Sequence, residues 1–381
     1  MFKDLQMKTI LFTVPSLSMQ YSKMPRILEI CRCIDRSKYS PMVSVDHKGR
    51  LDSHAIGMLN EIQVPVKILR MSPHPSAILK TSIALLKTAR EQQKIDISIQ
   101  HSFDYSRSWT EPIIARLGGV PYWITEKANM DFTGINWIIK FLLASKIIVQ
   151  SLRVKDIMVK KYPALESKIV VIPNGVNTNI FKPQKLHNKL KDTLGIPPDS
   201  LVLGYIAHLL PIKNHKDLID ALANSQNRSR IHLLLVGRFS EDDYKVQLDK
   251  KINDLGLTTQ VHFLGLRSDI PELCSIMDGI VLSSVSDSLS NGILQGMACG
   301  LPAISSNVGG MADVVRPGIN GWLVEMGEDF VNMLSIALDE WASDDVKRHG
   351  FGVNSLEIIR KEYTVDKMIQ KYFQMYESLL C

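Results

Sequence analysis

The strongest constraint on the fold is an alternation that runs the length of the 381-residue chain, in which short apolar runs are separated by helix-forming stretches. In the first half the runs are TILFTV, PMVSVD, VPVKIL, DISIQH, PYWITE, KIIVQS and KIVVIP; in the second they are LVLGYIA, IHLLLVG, VHFLGL, GIVLSS and PAISSN. Most are continuously apolar, as a strand buried on both faces of a parallel sheet requires. Helical segments such as 75–93 and 216–223 lie between them. Strand–helix alternation predicts parallel sheets with helices on their faces.

A chain of this length exceeds one ordinary core, so two domains are expected. The break is placed after IPNGVNTNIFKP, where QKLHNKLKDTLGIPPDS is polar, lysine-rich and contains paired prolines. The N-terminal domain is taken over 1–175 and the second, which begins within IPNGVNTNIFKP itself, over 176–363, both doubly wound and α/β. Ligands of such sheets bind beyond the carboxyl ends of the strands, which makes a cleft between two such domains the default site.

Composition excludes other classes. Hydrophobic residues make up 45% and charged residues 22%, the balance of a globular chain rather than a disordered or fibrous one. Cys31, Cys33, Cys274, Cys299 and Cys381 form neither a disulfide framework nor a zinc spacing, which fits reduced cysteines in the cytoplasm. The apolar run at 10–14 is too short for a signal peptide and reads as a first buried strand. WIIKFLLASKIIV, 137–149, is interrupted by Lys140 and Lys146 and is too short to span a bilayer. It reads either as a buried helix leading into a strand or as an amphipathic membrane-facing segment.

Charge is uneven. Residues 1–170 hold 25 Lys+Arg and 14 Asp+Glu, a balance of +11; the remainder hold 20 and 25, a balance of −5, and the two sum to the overall +6. A basic half attracts anionic partners such as phospholipid headgroups, phosphorylated acceptors or nucleic acid, or is simply solvated.

Two motifs carry chemistry. In LGYIAHLLPIKNHKDLIDAL a strand runs into a loop bearing His208, Lys213 and His215, then into a helix. A lysine beside a helix N-terminus suits phosphate oxygens. In SVSDSLSNGILQGMACG a turn over 288–291 leads into a helix over 292–299. The amides of Leu289 and Ser290 then lie at its positive end, suited to a diphosphate. Asp287 and Gln295, eight positions apart, flank that turn within reach of the hydroxyls of one ligand. Gly309-Gly310 allows a close backbone approach.

The ordered set KIVVIPNGVNTNIFKP, LLLVG, VHFLGLRSDIPEL and MACGLPAISSNVGGMADVV…GINGWLV resembles the retaining glycosyltransferases of family 4 (glycosyl transferases group 1). That resemblance implies a GT-B fold: two Rossmann-like doubly wound domains facing an inter-domain cleft, acceptor domain first, nucleotide-sugar domain second, with a final helix over 364–381 packing back on the first. It implies transfer of a sugar from a nucleotide-diphosphate sugar, UDP- or GDP-linked, to an acceptor hydroxyl with retention and without metal or other cofactor. The family's phosphate-binding lysine matches Lys213, and the arginine five positions before it is replaced by His208. Its two glutamates are replaced by Asp287, facing the transferred sugar, and Gln295, facing the ribose. Its sugar-side histidine matches His101, and Arg267 lies where the base is met. The glycine pair usual after the first strand is absent from VPSLSMQYSKMPRIL.

The implied catalytic set is therefore His101, Asp287 and Lys213, and the donor-binding set His208, Lys213, Arg267, Leu289, Ser290 and Gln295. Asp104 and Glu126 lie beyond strand ends as acceptor-side candidates, Asp313 resembles a family glutamate that holds a loop, and His47, His54, His74 and His215 read as surface residues. The implied partners are the donor, a glycan or lipid-linked glycan acceptor and an anionic membrane touched by the basic half, with no nucleic acid. The expected setting is cytoplasmic, at the inner face of the plasma membrane, in cell-surface polysaccharide assembly. Three softened contacts leave two alternatives open: a non-catalytic relative that binds glycan or serves as a subunit, and a GT-B sugar-nucleotide epimerase.

Overall fold

The computed structural model describes residues 7–18, 23–45, 51–69, 80, 83–84, 97–103, 109–127, 134–185, 188–239 and 242–380. The chain separates into two compact units. Unit 1 comprises Met1–Gln150, Lys155–Ile172 and Ile369–Cys381; unit 2 comprises Ser151–Val154 and Pro173–Met368. The helix expected over 75–93, together with His47, His74 and Asp104, falls largely or wholly outside the described residues.

Unit 1 is built on strands β1 (Lys8–Val14), β2 (Tyr39–Val45), β3 (Val66–Ile68), β4 (Ile97–Ser102), β5 (Tyr122–Lys127), β6 (Lys146–Val149) and β7 (Ile169–Val171). They form one sheet in the order β3-β2-β1-β4-β5-β6-β7. Every pairing is parallel. The connections carry α1 (Met24–Cys33), α2 (Ser53–Glu61), α3 (Thr110–Leu117), α4 (Ile135–Leu143) and α5 (Leu152–Lys161), the last grouping with unit 1 from Lys155 onward. The start of α2 is fixed by Asp52, whose carboxylate accepts from the His54 amide at 3.0 Å and satisfies an amide that the helix itself cannot. The segment at 137–149 is a helix followed by a strand. Trp137, Lys140 and Phe141 of α4 are buried, whereas Ile135 and Leu142 are exposed.

Unit 2 carries α6 (Asn188–Thr193), β8 (Leu201–Ile206), α7 (His215–Asn224), β9 (Ile231–Val236), α8 (Asp242–Asp254), β10 (Val261–Gly265), α9 (Ile270–Cys274), β11 (Gly279–Leu282), α10 (Asn291–Ala298), β12 (Ala303–Ser306), α11 (Met311–Val314), β13 (Gly321–Val324), α12 (Phe330–Ser343) and α13 (Asp345–Glu362). Its sheet is again parallel, in the order β10-β9-β8-β11-β12-β13. A final helix, α14 (Val365–Leu380), closes the chain, and from Ile369 onward it groups with unit 1. Within the polar stretch at 184–200, the described residues from 188 onward are folded rather than a bare linker. They form α6, and Lys191 Nζ donates to the carbonyls of Pro198 and Ser200 at 3.3 and 3.0 Å.

The strand orders fix where ligands can bind. In unit 2 the chain lays β9 and β10 on one side of β8, then returns to place β11, β12 and β13 on the other. The loops after β8 and β11 therefore diverge and leave a crevice at their carboxyl ends. The corresponding switch point in unit 1 lies between β1 and β4.

Candidate active site

The loop after β8 carries Lys213 at the end of a short 3-10 turn, Pro211–Lys213, followed by Asn214 in the left-handed region at φ 54°. Neighbouring hydroxyls hold this loop. Tyr205 Oη donates to the Lys213 carbonyl at 2.6 Å, Ser283 Oγ to the Asn214 carbonyl at 2.9 Å, and Ser284 Oγ to the Ile212 carbonyl at 3.1 Å. The serines belong to β11's carboxyl end, so the two loops of the switch point are tied together. Burial raises the Tyr205 hydroxyl far above its usual pKa, so it stays a donor.

Across the crevice, Lys213 Nζ lies 2.5 Å from Asp287 Oδ2, with both side chains largely buried. The second carboxylate oxygen of Asp287 accepts from the Ser288 amide at 2.9 Å. The Asp287–Ser288 backbone is backed by Gly309 and Gly310. A Cβ on Gly309, which sits at φ +52°, would lie 1.7 Å from the Asp287 carbonyl oxygen. The Gly310 amide donates to the Ser288 carbonyl at 2.6 Å. Only glycine at 309 lets the two backbones meet this closely.

Helix α10 begins one residue earlier than the sequence spacing predicts, with Ser290 as its N-cap. Among the described residues, the Leu289 and Ser290 amides donate to no backbone carbonyl. The Leu289 carbonyl is taken by Asn174 Nδ2 at 3.2 Å. Free amides at a helix N-terminus are an anion site in waiting. Gln295 lies half-buried in the second turn of the same helix.

His208 is half-buried, and its Nδ1 finds no hydrogen-bond partner among the described residues. Burial lowers its pKa, and the neighbouring Arg238 and Lys213 charges lower it further, so the ring is neutral near pH 7. Arg267 follows β10 and is engaged by Asp269 in a bidentate pair of 2.7 and 2.5 Å. His215 departs from its expected surface position. It has no exposed surface, its ring packs 4.5 Å from that of Tyr205, and burial pushes its pKa down to about 3. The cause is its place at the start of α7, which turns the ring inward under Tyr205 and Tyr244. Asp313 Oδ2 accepts from the Leu152 amide at 2.9 Å, so it ties backbone within unit 2.

In unit 1, His101 at the carboxyl end of β4 is the expected site residue with no exposed surface at all. Its Nδ1 lies 2.8 Å from Tyr376 Oη, and its Nε2 3.5 Å from Glu126 Oε1. Glu126 is buried as well, accepting from Arg26 at 2.7 Å and from Tyr372 Oη at 2.5 Å. Burial alone would raise the Glu126 carboxyl, but Arg26 and His101 outweigh it and hold it well below the usual range. Burial likewise keeps His101 neutral. Beside it, at the β1/β4 switch point, Glu111 accepts from Thr13, Gln100 and Ser102 at 2.5, 3.1 and 2.7 Å. Sequence reading passes over Glu111; its only signal is an acid two positions into a helix that follows a strand.

Comparison with known proteins bears on the fold that carries this site. Residues 26–180 match the family model Glycosyltransferase Family 4, and residues 187–357 match Glycosyl transferases group 1. A UDP-Gal:alpha-D-GlcNAc-diphosphoundecaprenol alpha-1,3-galactosyltransferase of Escherichia coli is 27% identical over 319 residues, covering 78% of this chain and 80% of that one. An N-acetyl-alpha-D-glucosaminyl L-malate synthase of Bacillus anthracis is 28% identical, over 50% of this chain and only 49% of its own length. Among solved structures, Anabaena HepE in complex with UDP and glucose superposes at a TM-score of 0.80, with 23% identity over 97% of this chain and all of that one. A glycosyltransferase from Rickettsia africae superposes at 0.84, with 20% identity over 98% of this chain and 99% of that one. With a glycosyltransferase family model matched by each half and this pair of parallel sheets, the chain has the two domains of a GT-B glycosyltransferase.

Proposed function

We propose that the protein transfers a sugar from a nucleotide-diphosphate sugar, UDP- or GDP-linked, to the hydroxyl of a glycan or lipid-linked glycan acceptor, with retention at the anomeric carbon. The observation that carries this reading is the Lys213–Asp287 pair, placed beside the Leu289 and Ser290 amides at the switch point of unit 2. A leaving diphosphate develops negative charge, and a lysine with helix-terminal amides stabilises it without reorganisation. In this reading Lys213 turns from Asp287 to the diphosphate as donor binds. Asp287 is thereby released to hold hydroxyls of the transferred sugar, and Gln295 accepts from the ribose. Neutral Gln295 forms a weaker bond there than a carboxylate would. Arg267 stands at the base. Charge stabilisation by these groups makes the reaction independent of added metal, which a chelator titration tests.

The acceptor side is read from unit 1, whose sequence is basic and suits an anionic, lipid-diphosphate-linked substrate at the inner face of the plasma membrane. The E. coli relative, which by its name acts on such an acceptor, supports this assignment. Cell-surface polysaccharide assembly is the setting that follows. Among the described residues no helix is long and apolar enough to cross a membrane, so contact with it is peripheral in this reading. His101 enters only by its place at the end of β4, since a sugar reaches it only if the Tyr376–Glu126 closure opens.

The test is release of nucleoside diphosphate from a panel of UDP-, GDP- and dTDP-sugars with lipid-linked acceptors, with the product anomer read by NMR. Lys213→Ala and Asp287→Ala are each expected to lose about a hundredfold or more in turnover, the scale of removing one transition-state charge contact. Unchanged release in both variants sinks the site. Nucleotide binding without turnover on any acceptor favours the non-catalytic reading.

A further inference from the structure

The register of the β8–β9 pair continues past the ends of both strands. Ile206 pairs with Val236, the Ala207 amide donates to the Val236 carbonyl at 3.0 Å, and Leu209 forms a parallel bridge with Phe239. The Leu209 amide donates to the Arg238 carbonyl at 2.9 Å. Gly237, at φ +154°, is pressed so close that a Cβ there would lie 1.9 Å from the Ala207 carbonyl oxygen. With a constant offset along this ladder, His208 and Arg238 occupy the same rung. In parallel strands such neighbours project from the same face, about 5 Å apart. Leu209 and Phe239, one step on, turn to the opposite face, and Leu209 is buried there.

Lys213 and the exposed Arg238 both lie close enough to His208 for their charges to act on its ring, so three basic side chains cluster at the carboxyl ends of β8 and β9. His208 brings a ring nitrogen without a protein partner and a neutral charge state. A single lysine, itself paired with Asp287, leaves a diphosphate under-compensated. Resting on the proposed nucleotide-sugar reading, we infer that Arg238 is a diphosphate-binding residue, delivering from the β9 loop the guanidinium that position 208 lacks. Its planar fork grips two phosphate oxygens at once, which a neutral imidazole beside it cannot do. The division of labour is then Lys213 and Arg238 on the phosphates, with His208 between them as a hydrogen-bonding neighbour.

The test is calorimetric binding of UDP and GDP, each compared with its monophosphate and its nucleoside, to the full chain. Arg238→Ala is expected to weaken the diphosphate that binds by about tenfold to a hundredfold, the scale of one charge-assisted contact, and to leave the nucleoside unchanged. Arg238→Gln guards against a misfolded alanine variant and is expected to behave the same way. Adding His208→Arg to Arg238→Ala is expected to recover affinity to within about threefold, because the same rung again carries a guanidinium. Lys213→Ala separates the two layers of the argument. Loss of diphosphate affinity in Lys213→Ala but not in Arg238→Ala overturns the inference and leaves the functional reading standing. No loss in either overturns both. Equal weakening of nucleoside and diphosphate in Arg238→Ala overturns the inference by making the effect structural.

Discussion

His215 makes the stability of unit 2 depend on pH, and the size of the effect follows from its surroundings. The ring is enclosed by Tyr205 and Tyr244, with Nδ1 3.3 Å from Tyr244 Oη and Nε2 without a partner among the described residues. Burial first, and the Lys213 charge second, take its pKa from 6.5 to about 3. Between these values the unfolded chain binds a proton that the native state refuses, so stability is complete above about pH 6.5 and falls as pH drops. Integrating that difference gives a loss of about 2 kcal/mol at pH 5 and about 3 kcal/mol at pH 4, relative to pH 8. His215→Phe keeps an aromatic ring of slightly larger volume and abolishes the titration. At pH 8 it exchanges one hydrogen bond for one fewer unsatisfied nitrogen, effects of about 1 kcal/mol each that oppose one another. The measurement is the urea midpoint of both proteins from pH 8 down to 4, with amide exchange on peptides from β9 and α7 assigning the transition to unit 2. The variant's stability relative to the parent should climb by about 2 kcal/mol on going to pH 5. A difference between the two that stays flat within about 0.5 kcal/mol refutes the assignment of His215 as a buried neutral group.

Gly309→Ala should cost about 1–3 kcal/mol from the left-handed backbone alone. Because the new Cβ would meet the Asp287 carbonyl, nucleotide affinity should fall with the melting temperature; a variant that melts and binds like the parent shows that the loop gives way. Tyr372→Phe removes the hydroxyl that donates to Glu126 at 2.5 Å, and the buried carboxylate left one donor short should cost about 1–3 kcal/mol. Thermal unfolding of the whole chain checks it, and an unchanged midpoint means that the remaining partners of Glu126, Arg26 among them, satisfy it.

The parts of the fold legible in the sequence are those where one segment suffices to define its own state. Twelve apolar runs mark twelve strands because parallel strands inside a sheet are buried on both faces. The edge strands β3, β7 and β10 are more exposed and keep enough of the same pattern. Strand β13 escapes that reading: Gly321–Val324 is four residues between a turn and a glycine-bearing loop, and it is a strand only because β12 offers it an edge. His215 reads as exposed within KNHKDL, since the rings that cover it come from positions 205 and 244. The spacing of Asp287 and Gln295 on the turn into α10 is local, and so is visible; the pairing of Asp287 with Lys213 spans 74 positions and is not.

The same distinction governs how His208 is understood, which stands where the family resemblance implies an arginine. Within its own loop, His208 is a loss of charge, and the loop offers only Lys213 in exchange. Within the sheet, it shares a rung with Arg238, thirty positions later, because the β8–β9 register runs on beyond both strands. A binding site at a topological switch point is assembled from loops whose side chains become neighbours through strand pairing rather than through sequence. A residue missing from one loop is therefore judged against its neighbours on the same rung. On the proposed reading, the phosphate end then keeps two permanent cations, Lys213 and Arg238, and the softened contact falls on the ribose at Gln295.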